Sequence, residues 1–168
     1  MKTLYIVRHA KSSWKEAGLE DIDRPLNERG KRDAPEMGKY LKQQGVKPDA
    51  LYSSPAKRAR KTAQLIAAEL GFDKEKISIQ PLLYTFNTNV EAILNFIEQL
   101  PDEQQTVMLF GHNPTFTELA NHFTHQHFTA ENPTCSVVGL QLQTNNWKNC
   151  TRAKVNLHLF AYPKMPGK

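Results

Sequence analysis

The chain has 168 residues, 39% of them hydrophobic and 23% charged, a balance that suits one globular domain and excludes disordered, collagen-like and coiled-coil chains. Lys and Arg number 22 against 17 Asp and Glu, and the resulting charge of +5 admits nucleic acid, a membrane surface or an anionic substrate without choosing among them. No apolar run approaches the roughly 18 residues of a membrane span, and Leu4–Val7 is too short for a signal-peptide core of about 7–15 residues, so a single domain over residues 1–168 with a cytoplasmic address is expected.

In chain order, Thr3–Val7 reads as a buried strand ending abruptly in Arg8-His9. Residues 11–25 carry no sustained period and are expected to form a loop with a turn near Gly18. Ala34, Met37, Tyr40 and Leu41 recur at helical intervals, which predicts a helix running to about Gln44 and stopping at Gly45. Pro35 within it predicts either a start near Asp33 or a kink.

Ala50–Ser53 reads as a second strand, with Ser54-Pro55 as N-cap and first-turn proline of a helix that ends at Leu70 and is closed by Gly71. Ile77–Gln80 follows as a third strand, Asn89–Leu100 as an amphipathic helix, and Thr106–Phe110 as a fourth strand. Gly111-His112-Asn113-Pro114 comes next, with Pro114 suited to the first turn of another helix. Val137–Gln143 and Lys154–Tyr162 alternate as an antiparallel pair joined by the turn-rich stretch from Asn145 to Asn149.

Strands alternating with helices imply an α/β fold, a three-layer α/β/α sandwich whose mostly parallel sheet carries the antiparallel pair at one side. Ligands of such sheets bind beyond the carboxyl ends of the strands. That rule brings Arg8, His9, Arg58 and His112 to one pocket. Two guanidiniums, two imidazoles and helix amino termini suit a tetrahedral phosphoryl dianion, although a carboxylate or sulfate would also fit.

Three stretches carry a family resemblance: Arg8-His9-Ala10-Lys11-Ser12-Ser13-Trp14, then Ser54 to Ala63, then Gly111 to Pro114. Together they resemble the signatures of the histidine phosphatase (phosphoglycerate mutase-like) superfamily, most closely its short SixA-type phosphohistidine phosphatase branch, in order and spacing from Met1 to about Phe123. The resemblance implies His9 as the nucleophile that forms a covalent phosphohistidine, Arg8 and Arg58 as oxygen clamps and His112 as a second histidine donating to the phosphoryl oxygens. Ser12 and Trp14 match family positions near the site; Ser12 is carried as a substrate-binding residue and Trp14 as a packing residue of the loop. Arg58 rather than Arg60 fits the spacing from Ser54 and to Thr62.

A nucleophilic imidazole must be neutral, so nearby cations should lower the pKa of His9, and its second ring nitrogen should donate to a backbone carbonyl. Prepositioned cations suffice for the equatorial charge of phosphoryl transfer, and neither a cofactor nor a metal is expected. Two departures from the family stand out. Ala10 replaces the usual glycine, which strains the chain if φ there is positive. Pro81–Phe86 offers no carboxylate where many members carry a glutamate as general acid, leaving Glu16, Glu20, Asp21, Asp23 and Glu91 as candidates by charge alone. Without a dedicated acid, the favoured substrate is phosphohistidine in a protein, whose imidazole leaves already protonated; a small phosphorylated substrate, or phosphate binding with weak catalysis, is the alternative.

Other features read as structural. Tyr84 is a strand-end tyrosine beside the pocket, His158 an outward strand residue, and Cys135 and Cys150 two reduced thiols. His122, His125 and His127 lack supporting carboxylate or cysteine ligands for zinc. Lys57, Arg58, Arg60 and Lys61 crowd one helical turn without interleaved aromatics, which favours a solvated helix start over nucleic-acid binding; neither a nucleic acid nor a membrane is an expected partner.

Overall fold

The first apolar run becomes a central strand. In the computed structural model, which describes residues 1–84 and 88–164, β1 (Lys2–Arg8) is buried from Leu4 through Val7. Strands with a neighbour on each side and a helix layer on each face have no polar side to show. Along the sheet the order is β3-β2-β4-β1-β5-β6, with β2 (Ala50–Ser53), β3 (Ser78–Ile79), β4 (Thr106–Gly111), β5 (Val137–Leu142) and β6 (Val155–Ala161). β3, β2, β4 and β1 are parallel, whereas β5 runs antiparallel to β1 and to β6.

Helices α1 (Glu28–Gln43) and α2 (Lys57–Leu70) cover one face around Met37, Leu41, Ile66 and Phe110; α3 (Val90–Glu98) and α4 (Thr115–Thr124) cover the other around Ile93, Ile97, Leu109 and Phe116. The three layers and the antiparallel C-terminal pair are those expected.

Several boundaries differ from the sequence reading. α1 starts at Glu28, capped by the Asn27 side chain, which accepts from the Gly30 N–H at 2.9 Å, and it continues through Pro35. An interior proline costs about 3 kcal/mol. Burial of Ala34, Met37 and Leu41 on the same helix offsets that cost. Ser54 is not the N-cap of α2; its hydroxyl accepts from the Ala56 N–H at 3.1 Å, and the helix begins at Lys57, so Pro55 precedes its first turn. β3 keeps only two of its four expected residues. Pro114 occupies the cap position of α4 rather than its first turn. Within the segment Pro81–Phe86, Thr85 and Phe86 lie outside the described residues.

Candidate active site

β1 and β4 lie side by side with Arg8 opposite Gly111, so each chain leaves the sheet into a histidine at the next residue. Adjacent parallel strands thereby deliver His9 and His112 together, their ring centroids 5.1 Å apart. Gly111 is required here: a Cβ would sit 2.4 Å from the Phe116 ring, which packs over the strand end. From the neighbouring strand, α2 begins just past β2 and presents Arg58 in its first turn. The four residues expected to converge line one cavity of about 200 Å³, together with Ser12.

His9 is buried, and its Nδ1 lies 2.7 Å from the Ala10 carbonyl. A carbonyl only accepts, so Nδ1 carries the proton and Nε2 keeps its lone pair. Burial, followed by the charges of Arg58, Arg8 and Arg24, outweighs that hydrogen bond and brings the His9 pKa down to about 3. His112 is brought down to about 2 by burial, the neighbouring His9 and Arg58. Its Nε2 is 2.8 Å from the Ser54 hydroxyl and its Nδ1 3.5 Å from Arg58 Nη2. The guanidinium can only donate, which assigns the Nδ1 lone pair to Arg58 and the Nε2 proton to Ser54. Both imidazoles are neutral at ordinary pH.

Ala10 is not among the residues with positive φ, so the strain considered for it does not arise. Its N–H donates to the Thr62 hydroxyl at 3.0 Å, and that hydroxyl donates to the Arg58 carbonyl at 2.7 Å. One buried threonine thus ties the His9–Ala10 segment to the turn carrying Arg58. Arg8 Nη1 donates to the Asn132 carbonyl at 2.8 Å, which also accepts from the Asn113 amide.

A third guanidinium, Arg24, and the carboxylate of Asp21 also line the cavity, with Lys11, Trp14, Asn113 and Thr134. Sequence reasoning named Asp21 only by its charge and missed Arg24. Both belong to the loop without period, which contains the expected turn at Ala17-Gly18 and then a 3₁₀ turn at Asp21–Asp23. Ser12 bridges to Leu26, Ser13 N–H donates to Pro25, and Asn27 N–H donates to Lys11. Gly30 permits this closure, since a Cβ there would meet the Lys11 carbonyl at 2.2 Å. Folded back this way, Arg24 donates to the Ser12 hydroxyl and to the Ser13 carbonyl. Ser12 therefore lines the cavity with its hydroxyl engaged by Arg24.

Asp21 is the hub of the cationic wall. Its carbonyl and Oδ2 accept from Arg58 at 2.7 and 2.9 Å, Oδ2 also accepts from the Tyr84 hydroxyl at 2.6 Å, and Oδ1 accepts from Arg24 at 3.0 Å. Burial alone would raise its pKa, but the bonds from Tyr84, Arg58 and Arg24 bring it down to about 2. In return, burial and the Asp21 carboxylate push the Tyr84 hydroxyl up to about 12. Tyr84 does not line the cavity; it stands behind Asp21 with its ring edge-on to His112. Trp14 packs within the loop as expected, its ring against the Arg24 guanidinium, but it is 74% exposed and lines the cavity rather than a core. Of the five acidic candidates, Asp21 alone lines the cavity among the described residues.

This arrangement has a testable consequence. Asp21→Asn removes the negative charge and one of the two carboxylate oxygens that align two guanidiniums, and loss of a charge-assisted hydrogen bond is worth about tenfold or more in rate. kcat/KM should fall by about that factor, and a difference titration against Tyr84→Phe should find the Tyr84 hydroxyl ionising closer to pH 10. An unchanged tyrosine titration would mean that Asp21 does not set the state of Tyr84.

Comparison with known proteins decides the lineage. Residues 4–88 match the model of the histidine phosphatase superfamily (branch 1). The chain belongs to that superfamily. An uncharacterized chloroplastic protein of Arabidopsis thaliana is 31% identical over 154 residues, 88% of this chain and 69% of its own length. Among solved structures, a candidate phosphohistidine phosphatase SixA from Agrobacterium tumefaciens superposes with a TM-score of 0.81 at 29% identity, covering 96% of this chain and 98% of its own. A protein histidine phosphatase SixA complexed with tungstate gives 0.74 at 21% identity, covering 94% and 95%, which establishes the shared fold.

The other histidines of this superfamily member lie apart from the cavity. His122 and His127 are exposed and edge-on to Phe123 and Phe128, His125 ends α4 in left-handed conformation, and His158 faces outward beside Tyr5. Arg60 is exposed and donates to the Pro55 carbonyl, away from the cavity.

Proposed function

We propose that the protein is a phosphohistidine phosphatase acting on phosphorylated protein, with His9 as the nucleophile. The observation that carries this reading is a neutral His9, its Nδ1 committed to the Ala10 carbonyl, in a cavity walled by Arg8, Arg24 and Arg58. His9 Nε2 attacks phosphorus as the P–N bond to the substrate imidazole breaks, and the guanidiniums take up the charge spreading over the equatorial oxygens. Water then attacks phosphorus, the bond to Nε2 breaks, and inorganic phosphate leaves.

The choice of a P–N bond over an ester rests on proton supply. The cavity's carboxylate, Asp21, is ionised far below neutral pH and has no proton to give an alkoxide. An imidazole, with an ordinary pKa of about 6.5, departs without one once its ring is protonated. Similarity to the Agrobacterium SixA supports the same substrate class.

Phosphohistidine peptide should therefore be hydrolysed at least about tenfold faster than an alkyl phosphate at equal concentration. On the alkaline side, kcat/KM should fall as the substrate imidazole loses its proton. On the acid side no enzyme limb should appear until pH approaches about 3, where His9 itself would protonate. Faster turnover of the alkyl ester, or an acid limb near pH 6, would overturn the reading. Trapping the phosphoryl label on His9 separates catalysis from simple phosphate binding.

A further inference from the structure

Beside the catalytic cavity lies a larger groove of about 410 Å³, lined by Pro25, Leu26, Lys31, Lys57, Arg60, Lys61 and Gln64. Lys57, Arg60, Lys61 and Gln64 stand at i, i+3, i+4 and i+7, one face of the first two turns of α2. Lys31 faces them from α1, and Pro25 and Leu26 supply an apolar wall. No carboxylate lines the groove among the described residues. Lys57, Arg60 and Lys61 are exposed, and among the described residues none of them forms an ion pair; Lys31 meets only the exposed Glu28, at 3.5 Å.

This charge placement works against the helix that carries it. The amino end of a helix carries partial positive charge and favours acidic side chains, and like charges three or four residues apart repel. α2 has no acidic residue in its first turn and sets Lys57, Arg58 and Arg60 there instead, with Lys61 next along. Arg58 is accounted for by the catalytic cavity. The other three have no ion-pair partner among the described residues, and an anion in the groove would relieve their repulsion.

The groove and the cavity are lined by residues adjacent in sequence along two backbone segments. Arg24 lines the cavity while Pro25 lines the groove, and Arg58 lines the cavity while Lys57 lines the groove. A polypeptide that places a phosphoryl group against His9 needs to cross only this shared wall to reach the lysines. We infer that the α1–α2 groove is a docking site for an acidic segment of the phosphorylated protein substrate, a few residues from the phosphohistidine. Carboxylates pair with the lysines and Arg60. A nucleic acid is the weaker fit, since no aromatic ring lines the groove to stack a base.

The inference rests on the proposed substrate class, and its test keeps the two apart. Two phosphohistidine peptides are compared, one with Asp and Glu about three to eight residues from the phosphohistidine, a reach of extended chain that spans the wall, and one with those positions changed to Ser and Gln. Wild-type protein should prefer the acidic peptide by about tenfold in kcat/KM, mostly through KM, and the preference should shrink as salt is raised. The double variant Lys31→Glu/Lys61→Glu should lose the preference while hydrolysing phosphoramidate within about twofold of wild type. Equal turnover of both peptides by wild type, or a preference that survives the charge reversal, would overturn the inference.

Binding is read separately from catalysis, by fluorescence polarisation of the unphosphorylated acidic peptide and of a single-stranded oligonucleotide. Peptide binding lost in the double variant supports the groove even if phosphohistidine is not hydrolysed, in which case only the substrate assignment fails. Tighter binding of the oligonucleotide than of the peptide would overturn the protein assignment.

Discussion

His9→Ala is expected to abolish turnover, by about 10⁴-fold or more, without unfolding the protein. In a double displacement the nucleophile makes the first bond to phosphorus, and enzymes that lose such a group retain only what binding and charge stabilisation supply. The fold does not depend on the imidazole. His9 N–H donates to the Gly111 carbonyl, and its own carbonyl accepts from Cys135 N–H, so alanine keeps both strand-end bonds. The side-chain bond that is lost runs to Ala10, its immediate neighbour. Circular dichroism and thermal unfolding should therefore match wild type closely, and inorganic phosphate should still compete for the cavity through Arg8, Arg24 and Arg58. No phosphoryl label should be trapped. A folded His9→Ala protein that keeps most of its phosphatase activity would remove His9 from the nucleophile's role.

The legible part of the site was the part fixed by strand ends. Arg8-His9 and Gly111-His112 close short apolar runs, and a parallel sheet leaves their side chains one place to go. Arg58 was legible through the family resemblance, by its spacing from Ser54 and to Thr62, and the structure supplies a physical counterpart: Thr62 reaches back one helical turn to the Arg58 carbonyl while meeting the Ala10 N–H. Arg24 and the position of Asp21 were not legible, because residues 11–25 carry no hydrophobic period. Their placement depends on long-range closure of the loop through the Ser12–Leu26 bridge and the contact of Gly30 with Lys11, which neither spacing nor composition announces. Local propensity failed at Pro35 and at Ser54 for opposite reasons. Burial of α1 carried the helix through a proline, and an otherwise good cap was diverted to hold His112.

The most informative double-mutant cycle joins Arg58 to Asp21. Arg58→Ala should reduce kcat/KM toward the upper end of the 10²–10³-fold range typical of a lost transition-state donor. The reason is that the side chain does two jobs. It lines the cavity, where in the proposed reaction it would donate hydrogen bonds to the phosphoryl oxygens, and it donates to the Asp21 carbonyl and carboxylate at 2.7 and 2.9 Å. Without it Asp21 still has Tyr84 and Arg24, remains ionised at neutral pH, and sets a negative charge where a phosphoryl dianion must bind. Asp21→Asn, harmful in the wild-type background because it misaligns the guanidiniums, should thus become helpful in the Arg58→Ala background and recover about tenfold. Arg58→Lys should not substitute, since an ammonium is a point charge that cannot serve both Asp21 and the phosphoryl oxygens in a fixed fork. If Asp21→Asn lowers activity equally in both backgrounds, the carboxylate is not balanced against Arg58. Independent effects of that kind would reassign Arg24 as the group that holds Asp21 in place.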